Sequence, residues 1–177
     1  DRMQQVYNAD LANSWGNLIS RSLTMSAKYF DGGAPARPAD AAAFANPLAQ
    51  IAEGLYDRYA ACMDKVDYVG AKDAVMELIH AANHYIEDCE PWGLAKDEAK
   101  HDELAFVIYN LLEAIRIAAH LLAPFMPQTS AEALRRIACA DEAQCDDLRA
   151  ACAWGGLAGG APVEKGDPLF PRLQADK

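Results

Sequence analysis

Positive charge is scarce in this chain. It has 16 lysines and arginines against 26 aspartates and glutamates, a formal net charge of −10. That balance argues against sequence-blind binding to nucleic acid, which draws most of its affinity from a basic surface. Staples are scarce too: Cys62, Cys89, Cys139, Cys145 and Cys152 are odd in number and include no Cys-x-x-Cys. This excludes a zinc ribbon and a disulfide framework, and a reducing cytoplasm is expected. No apolar run approaches the ~20 residues that span a bilayer, and no signal peptide is visible, so no membrane partner is expected. There is no glycine-rich phosphate loop after a strand, no nucleophile elbow, and no pair of carboxylates that stands out from helix-surface acids. The chain therefore carries no expected catalytic, metal or cofactor site. It also lacks an initiator methionine: Asp1-Arg2-Met3-Gln4-Gln5-Val6 is already helical in pattern with no clear cap, as in a piece cut from a longer protein.

At 177 residues and 52% hydrophobic composition, the chain is long enough to bury one continuous core. Apolar residues recur with a period near 3.6 until the last twenty-odd residues, which predicts an all-α antiparallel bundle of four long helices plus a short fifth. The first helix runs from about Met3 to Ala27 and stops before Asp31-Gly32-Gly33-Ala34-Pro35. The second starts at Asn46-Pro47, a cap followed by a first-turn proline, turns Leu48, Ile51, Leu55 and Tyr59 inward and ends near Lys65. Asp67 caps the third, whose inward set is Val69, Val75, Leu78, Ile79, Ala82, Tyr85 and Ile86, and Pro91 terminates it. The fourth, about Glu103 to Leu122, is the most apolar. Leu104, Val107, Ile108, Leu111, Leu112, Ile115, Ala119 and Leu122 are expected at the centre, with Pro124 and Pro127 as stops. Thr129 or Ser130 caps the fifth, which reaches Ile137. Residues 1–139 thus form a bundle, and 140–177, rich in glycine and proline, an irregular or partly extended tail that folds back on it.

Polar residues break the pattern in two places. Three or four residues apart on the first helix, Asn13, Asn17 and Arg21 share one stripe opposite Leu11, Trp15, Leu18 and Ile19. Carboxamide and guanidinium groups one turn apart can hydrogen-bond base edges, or can simply be a solvated face. At the end of the third helix, Pro91-Trp92 forms a rigid corner. Its indole is either a core anchor or an exposed platform for an unpaired base. His80 and His84 sit one turn apart, but Ala81 stands where a zinc protease has its glutamate and no third ligand is evident, so surface histidines are expected. Arg135-Arg136 reads as a solvated helix face. Residues 1 to 37 net +1, which makes the first helix the least acidic surface.

The runs Asn8-Ala9-Asp10-Leu11-Ala12-Asn13, Asn17-Leu18-Ile19-Ser20-Arg21 and Pro91-Trp92-Gly93-Leu94-Ala95-Lys96 resemble the anticodon-binding domain of the methionyl-tRNA synthetase family, and the likeness covers nearly the whole chain. The resemblance implies a single-stranded RNA site made by Asn17, Arg21, Trp92, Pro91, Asn13 and Asn83, which reads the CAU anticodon loop of the methionine tRNA. It implies that Asn8, Asp10 and Asn13 orient the first helix, with Asn13 the one expected to touch RNA. ATP with magnesium and methionine would be handled by a catalytic domain of the same polypeptide, upstream and absent here, with neither DNA nor membrane as a partner. Sibling class I synthetases for valine, isoleucine, leucine or cysteine share the architecture and remain an alternative. So does a non-enzymatic helical scaffold for a protein partner, which the acidic charge suits.

Overall fold

The computed structural model describes residues 2–39 and 41–173; residues 174–177, which the sequence assigns to the tail, lie outside the described residues. Among the described residues the fold is all-helical, with no strand beyond one isolated antiparallel bridge between Gly33 and Pro162. Helix α1 is a continuous rod of three parts: Arg2–Val6, a π-helical Tyr7–Gly16, and Asn17–Tyr29. Of its expected apolar stripe, Trp15, Leu18 and Ile19 are at 1% exposure or less, while Leu11 is only partly buried. The rod ends two residues later than the sequence suggests, where Asp31 and Gly32 take positive φ angles of 52° and 78°.

The expected second helix is two helices, α2 (Pro47–Ala52) and α3 (Leu55–Asp64). Asn46 caps α2 by accepting from the Ala49 amide at 3.0 Å. The break is at Gly54, whose φ of 71° is a left-handed turn that costs glycine little. Helix α4 (Tyr68–Cys89) is capped by Asp67, which accepts from the Gly70 amide at 2.9 Å. Its expected inward set is buried except Val69, which is 68% exposed. Pro91 does not simply end α4. Glu90 takes φ 42°, and Pro91 opens a separate four-residue helix, α5 (Pro91–Leu94), since proline's missing N–H costs nothing in a first turn.

Helix α6 (His101–Leu122) is the axis of the bundle. Together with the turn before it (Glu98–Leu122), it is long and apolar enough to cross a membrane by length and composition, contrary to the sequence expectation, yet its most apolar 18 residues are buried inside the fold. All eight residues expected at its centre are 3% exposed or less. Helix α7 (Pro127–Arg136) begins at the proline expected to act as a stop. Neither Thr129 nor Ser130 caps it, and Ser130 is instead buried within the helix.

Helix α6 also carries a buried ionic cluster that the apolar pattern concealed. Glu113, Arg116 and His120 are 0%, 2% and 4% exposed. The Glu113 carboxylate accepts from Arg116 at 2.6 Å and from the backbone amides of Gly155, Gly156 and Leu157 at 2.6, 2.8 and 3.0 Å. Arg116 donates to the carbonyls of Ala151 and Ala153, and Glu142 bridges Arg116 and His120 at 3.2 and 2.9 Å. Burial alone would lower the guanidinium's pKa, but Glu113 and then Glu142 hold it raised, so Arg116 stays charged. Gly156 fits because a Cβ there would lie 2.7 Å from the Arg116 guanidinium carbon. After a short helix, α8 (Leu148–Ala151), this cluster fastens residues 151–157 to the bundle axis. Arg136 holds the next stretch. It is 7% exposed rather than solvated and donates to the carbonyls of Lys165 and Asp167 at 3.0 and 2.6 Å.

Candidate nucleic-acid interface

Helices α1 and α4 pack side by side, and their shared seam opens into a polar cleft of about 230 Å³. Asn13, Ser14, Asn17 and Arg21 form one wall, and His80, Asn83, His84 and Glu87 the other. The i→i+5 turns of the π-helical segment are wider than α-helical ones and recur at functional sites. Within this segment the Ser14 carbonyl accepts from Asn83 Nδ2 at 3.1 Å. The same nitrogen donates to the Ile79 carbonyl at 3.0 Å.

Those two bonds set the orientation of a second amide. With Asn83 Nδ2 committed to two carbonyls, Asn83 Oδ1 faces Asn17 and accepts from its Nδ2 at 3.2 Å. Asn17 is left with Oδ1 and one N–H without a protein partner among the described residues. An acceptor and a donor side by side on one planar group match the edge of a base. Arg21 lies one turn on, 2.6 Å from Glu87, at 30% and 57% side-chain exposure. One prong of its fork is held, and the rest of the guanidinium faces the cleft.

The six residues singled out from the sequence fall into two groups. Asn13, Asn17, Arg21 and Asn83 meet in the cleft. Pro91 and Trp92 do not line it. They follow Glu87 at the end of α4, with Pro91 buried and Trp92 39% exposed. That exposure rules out a fully packed indole. His80 and His84 face the cleft, and no group of three or more histidine, cysteine, aspartate or glutamate side chains suited to a metal exists among the described residues. Burial pushes the Cys139 and Cys152 thiols up to about 12, which leaves neither a ready nucleophile.

Sequence reasoning missed the reach of the tail into this region. Asn8 clamps Leu173 through two bonds of 3.0 Å, one accepted from its amide and one donated to its carbonyl. Arg172 Nε donates to Asn13 Oδ1 at 2.8 Å, so the tail brings a guanidinium to the rim of the cleft. Between Asn8 and Asn13 on the same segment, Asp10 pairs with Lys72 at 3.3 Å. Lys72 is held raised by its hydrogen bond with Asp73 first and Asp10 second.

A family model described as the anticodon binding domain of methionyl tRNA ligase matches residues 35–177. A methionine–tRNA ligase of Streptococcus pneumoniae is 40% identical over 170 residues, covering 96% of this chain and 25% of that protein. The Bacillus subtilis methionine–tRNA ligase is 38% identical over 172 residues, with the same two coverages. These alignments extend well into α1, which lies outside the family-model match. Among solved structures, the apo Mycobacterium tuberculosis methionyl-tRNA synthetase superposes with a TM-score of 0.83 at 32% identity, over 98% of this chain and 34% of that one. The chain spans about a quarter of the length of the curated relatives it matches.

Proposed function

This chain belongs to the family of anticodon-binding domains of methionyl-tRNA ligases, and on that premise we propose that its polar cleft reads the CAU anticodon loop of the methionine tRNA. The observation that carries the proposal is the convergence of Asn17 and Arg21 from α1 with Asn83 from α4 in one open cleft. In this reading Asn17 offers its free acceptor and donor to a base edge, and Arg21 offers the part of its fork that Glu87 does not hold. Asn83 orients Asn17 rather than touching RNA, because both of its amide hydrogens are spent on backbone carbonyls. Asn13, tied to Arg172, lines the rim. Trp92, set by Pro91 at the end of α4, stacks on an unpaired base.

The charging of tRNA with methionine, driven by ATP and magnesium, is proposed for the rest of the ligase polypeptide, in the cytoplasm. Titration with a CAU hairpin, against hairpins in which one anticodon base is changed, tests the reading. A mismatched base edge is worth ~1–3 kcal/mol, so CAU should bind roughly tenfold or more tightly. Equal affinity for all the hairpins would remove anticodon reading and favour a protein-binding scaffold.

A further inference from the structure

Two histidines of the polar cleft have no part in the reading above. His80, Asn83, His84 and Glu87 stand at positions i, i+3, i+4 and i+7 of α4, so they share the helix face that forms one wall of the cleft. Both histidines are exposed, and neither has a hydrogen-bond or ion-pair partner among the described residues. With no third metal-ligating group beside them among the described residues, their chemistry is that of two unpaired imidazoles. Histidine is the side chain whose charge ordinarily changes between pH ~5 and ~8.

The other charges around them are balanced. Across the cleft, Arg21 of α1 is paired with Glu87, and further along α1 Asp10 is paired with Lys72. On α4, Arg58 holds Glu77, and Asp88 lies in a different recess, beside Phe44 and Phe106. From the tail, Arg172 reaches only the rim, on Asn13. The fixed charges lining the cleft, Arg21 and Glu87, therefore cancel, and the two histidines decide its net charge. With both neutral the cleft is uncharged. With both protonated it carries two positive charges. RNA that inserts a base here brings its phosphates close to the wall, and a nearby anion favours the charged form of an imidazole. We propose that His80 and His84 take up protons from solvent as RNA enters and, as imidazoliums, donate to the backbone phosphates of the bound loop. The proposal rests on the reading above only in taking RNA as the ligand of this cleft. The complex holds these protons to higher pH than the free domain does, so binding tightens as pH falls through the histidine range and levels off below it. Because phosphate contacts carry no sequence information, every loop gains equally.

The test measures hairpin affinity from pH ~8 to ~5.5 for the full-length ligase that contains this domain and for its double variant His80→Gln, His84→Gln. Glutamine keeps a polar donor but cannot take a charge, and both positions are exposed, so Tm should not change. Wild type should bind a CAU hairpin about tenfold more tightly at the acid end, as a one-unit rise in proton affinity on binding requires. The double variant should change by less than about twofold over the same range, roughly a quarter of a unit on that scale. Calorimetry in two buffers of different ionisation enthalpy should show proton uptake by the wild type and none by the double variant. A hairpin with one anticodon base changed should gain as much on acidification as CAU does. A flat wild-type profile, or a double variant that tightens as much as wild type, would overturn the proposal. So would a gain confined to CAU, which would put the histidines on a base edge. If wild type prefers CAU at every pH and the double variant keeps the pH dependence, the anticodon reading stands and this proposal fails. If the double variant loses the pH dependence while no hairpin is preferred, the proposal stands and the anticodon reading fails.

Discussion

Replacing Glu113 with alanine should be among the most destabilising single changes in this domain. The carboxylate is fully buried and accepts from the Arg116 guanidinium and from three consecutive backbone amides at Gly155, Gly156 and Leu157. Its removal leaves a guanidinium that is 2% exposed with only the half-exposed Glu142 as a counterion, and strips three amides of their acceptor. Breaking a buried ion pair on one side costs ~3–5 kcal/mol. For a domain of this size each kcal/mol lowers Tm by ~2–4 °C, so Glu113→Ala should unfold roughly 6–20 °C earlier. Thermal unfolding followed by circular dichroism measures this directly. The double change Glu113→Leu, Arg116→Met separates the causes: removing both charges abolishes the uncompensated ion and should recover part of the loss, although the three amides remain unpaired. A loss below ~1 kcal/mol for Glu113→Ala, or a double variant as unstable as the single one, would refute the view that an unpaired buried charge dominates.

Three further outcomes are expected. Trp92→Ala should weaken a CAU hairpin roughly tenfold to a hundredfold, as loss of ~1–3 kcal/mol of stacking requires, and should melt only slightly early because the residue is 39% exposed; early melting with normal binding by the folded fraction would make Trp92 a core residue, and Trp92→Phe should bind in between. Arg21→Lys can keep a charge opposite Glu87 but loses the planar fork, so hairpin binding should fall nearly as far as in Arg21→Ala at unchanged stability, and wild-type affinity in the lysine variant would remove Arg21 from the site. Hydrogen bonds from Arg135 and then Arg136 hold the Glu132 carboxyl at about 2, below its ordinary 4.5. Its contribution is present above pH ~4.5 and is lost as pH falls toward 2, so Glu132→Gln should be less stable at neutral pH and flatten the acid limb of the Tm–pH curve, whereas an unchanged limb would count against the pairing.

The bundle was legible because a period of 3.6 needs only the chain itself. Where the reading failed, the deciding partner was distant or the same residue type serves opposite ends of a helix. By sequence Pro91 and Pro127 read as stops, yet each stands in the first turn of a new helix. Proline is excluded from helix interiors and welcome at their starts, and sequence alone marks the boundary without its direction. Val69 fits the apolar stripe of α4, but a stripe marks only what prefers to leave water, and its cover need not belong to the same domain. Glu113 and Arg116 on α6 sit among apolar residues, and their partners arrive from some forty positions further along the chain. The stripe of Asn13, Asn17 and Arg21 was legible from spacing. The orienting of Asn17 by Asn83 was not, because it depends on a carbonyl that the π-helical turn of α1 presents to α4.

An acidic domain and the proposed RNA partner can be reconciled through how the cations along the α1–α4 seam are occupied. Arg21 is held by Glu87, Lys72 by Asp10 and Asp73, and Arg172 leans on the neutral amide of Asn13. A phosphate chain passing such a surface meets little free positive charge, so sequence-blind attraction is weak. A base that enters the cleft can still take the unpartnered acceptor and donor of Asn17 and share the guanidinium with Glu87, and these directional bonds reward only a matching edge. Weak general attraction combined with precise local hydrogen bonding lowers the affinity for every RNA, but lowers it least for the loop whose bases fit. If the cleft reads the anticodon as proposed, the net charge of −10 works toward discrimination between loops rather than against binding to one of them.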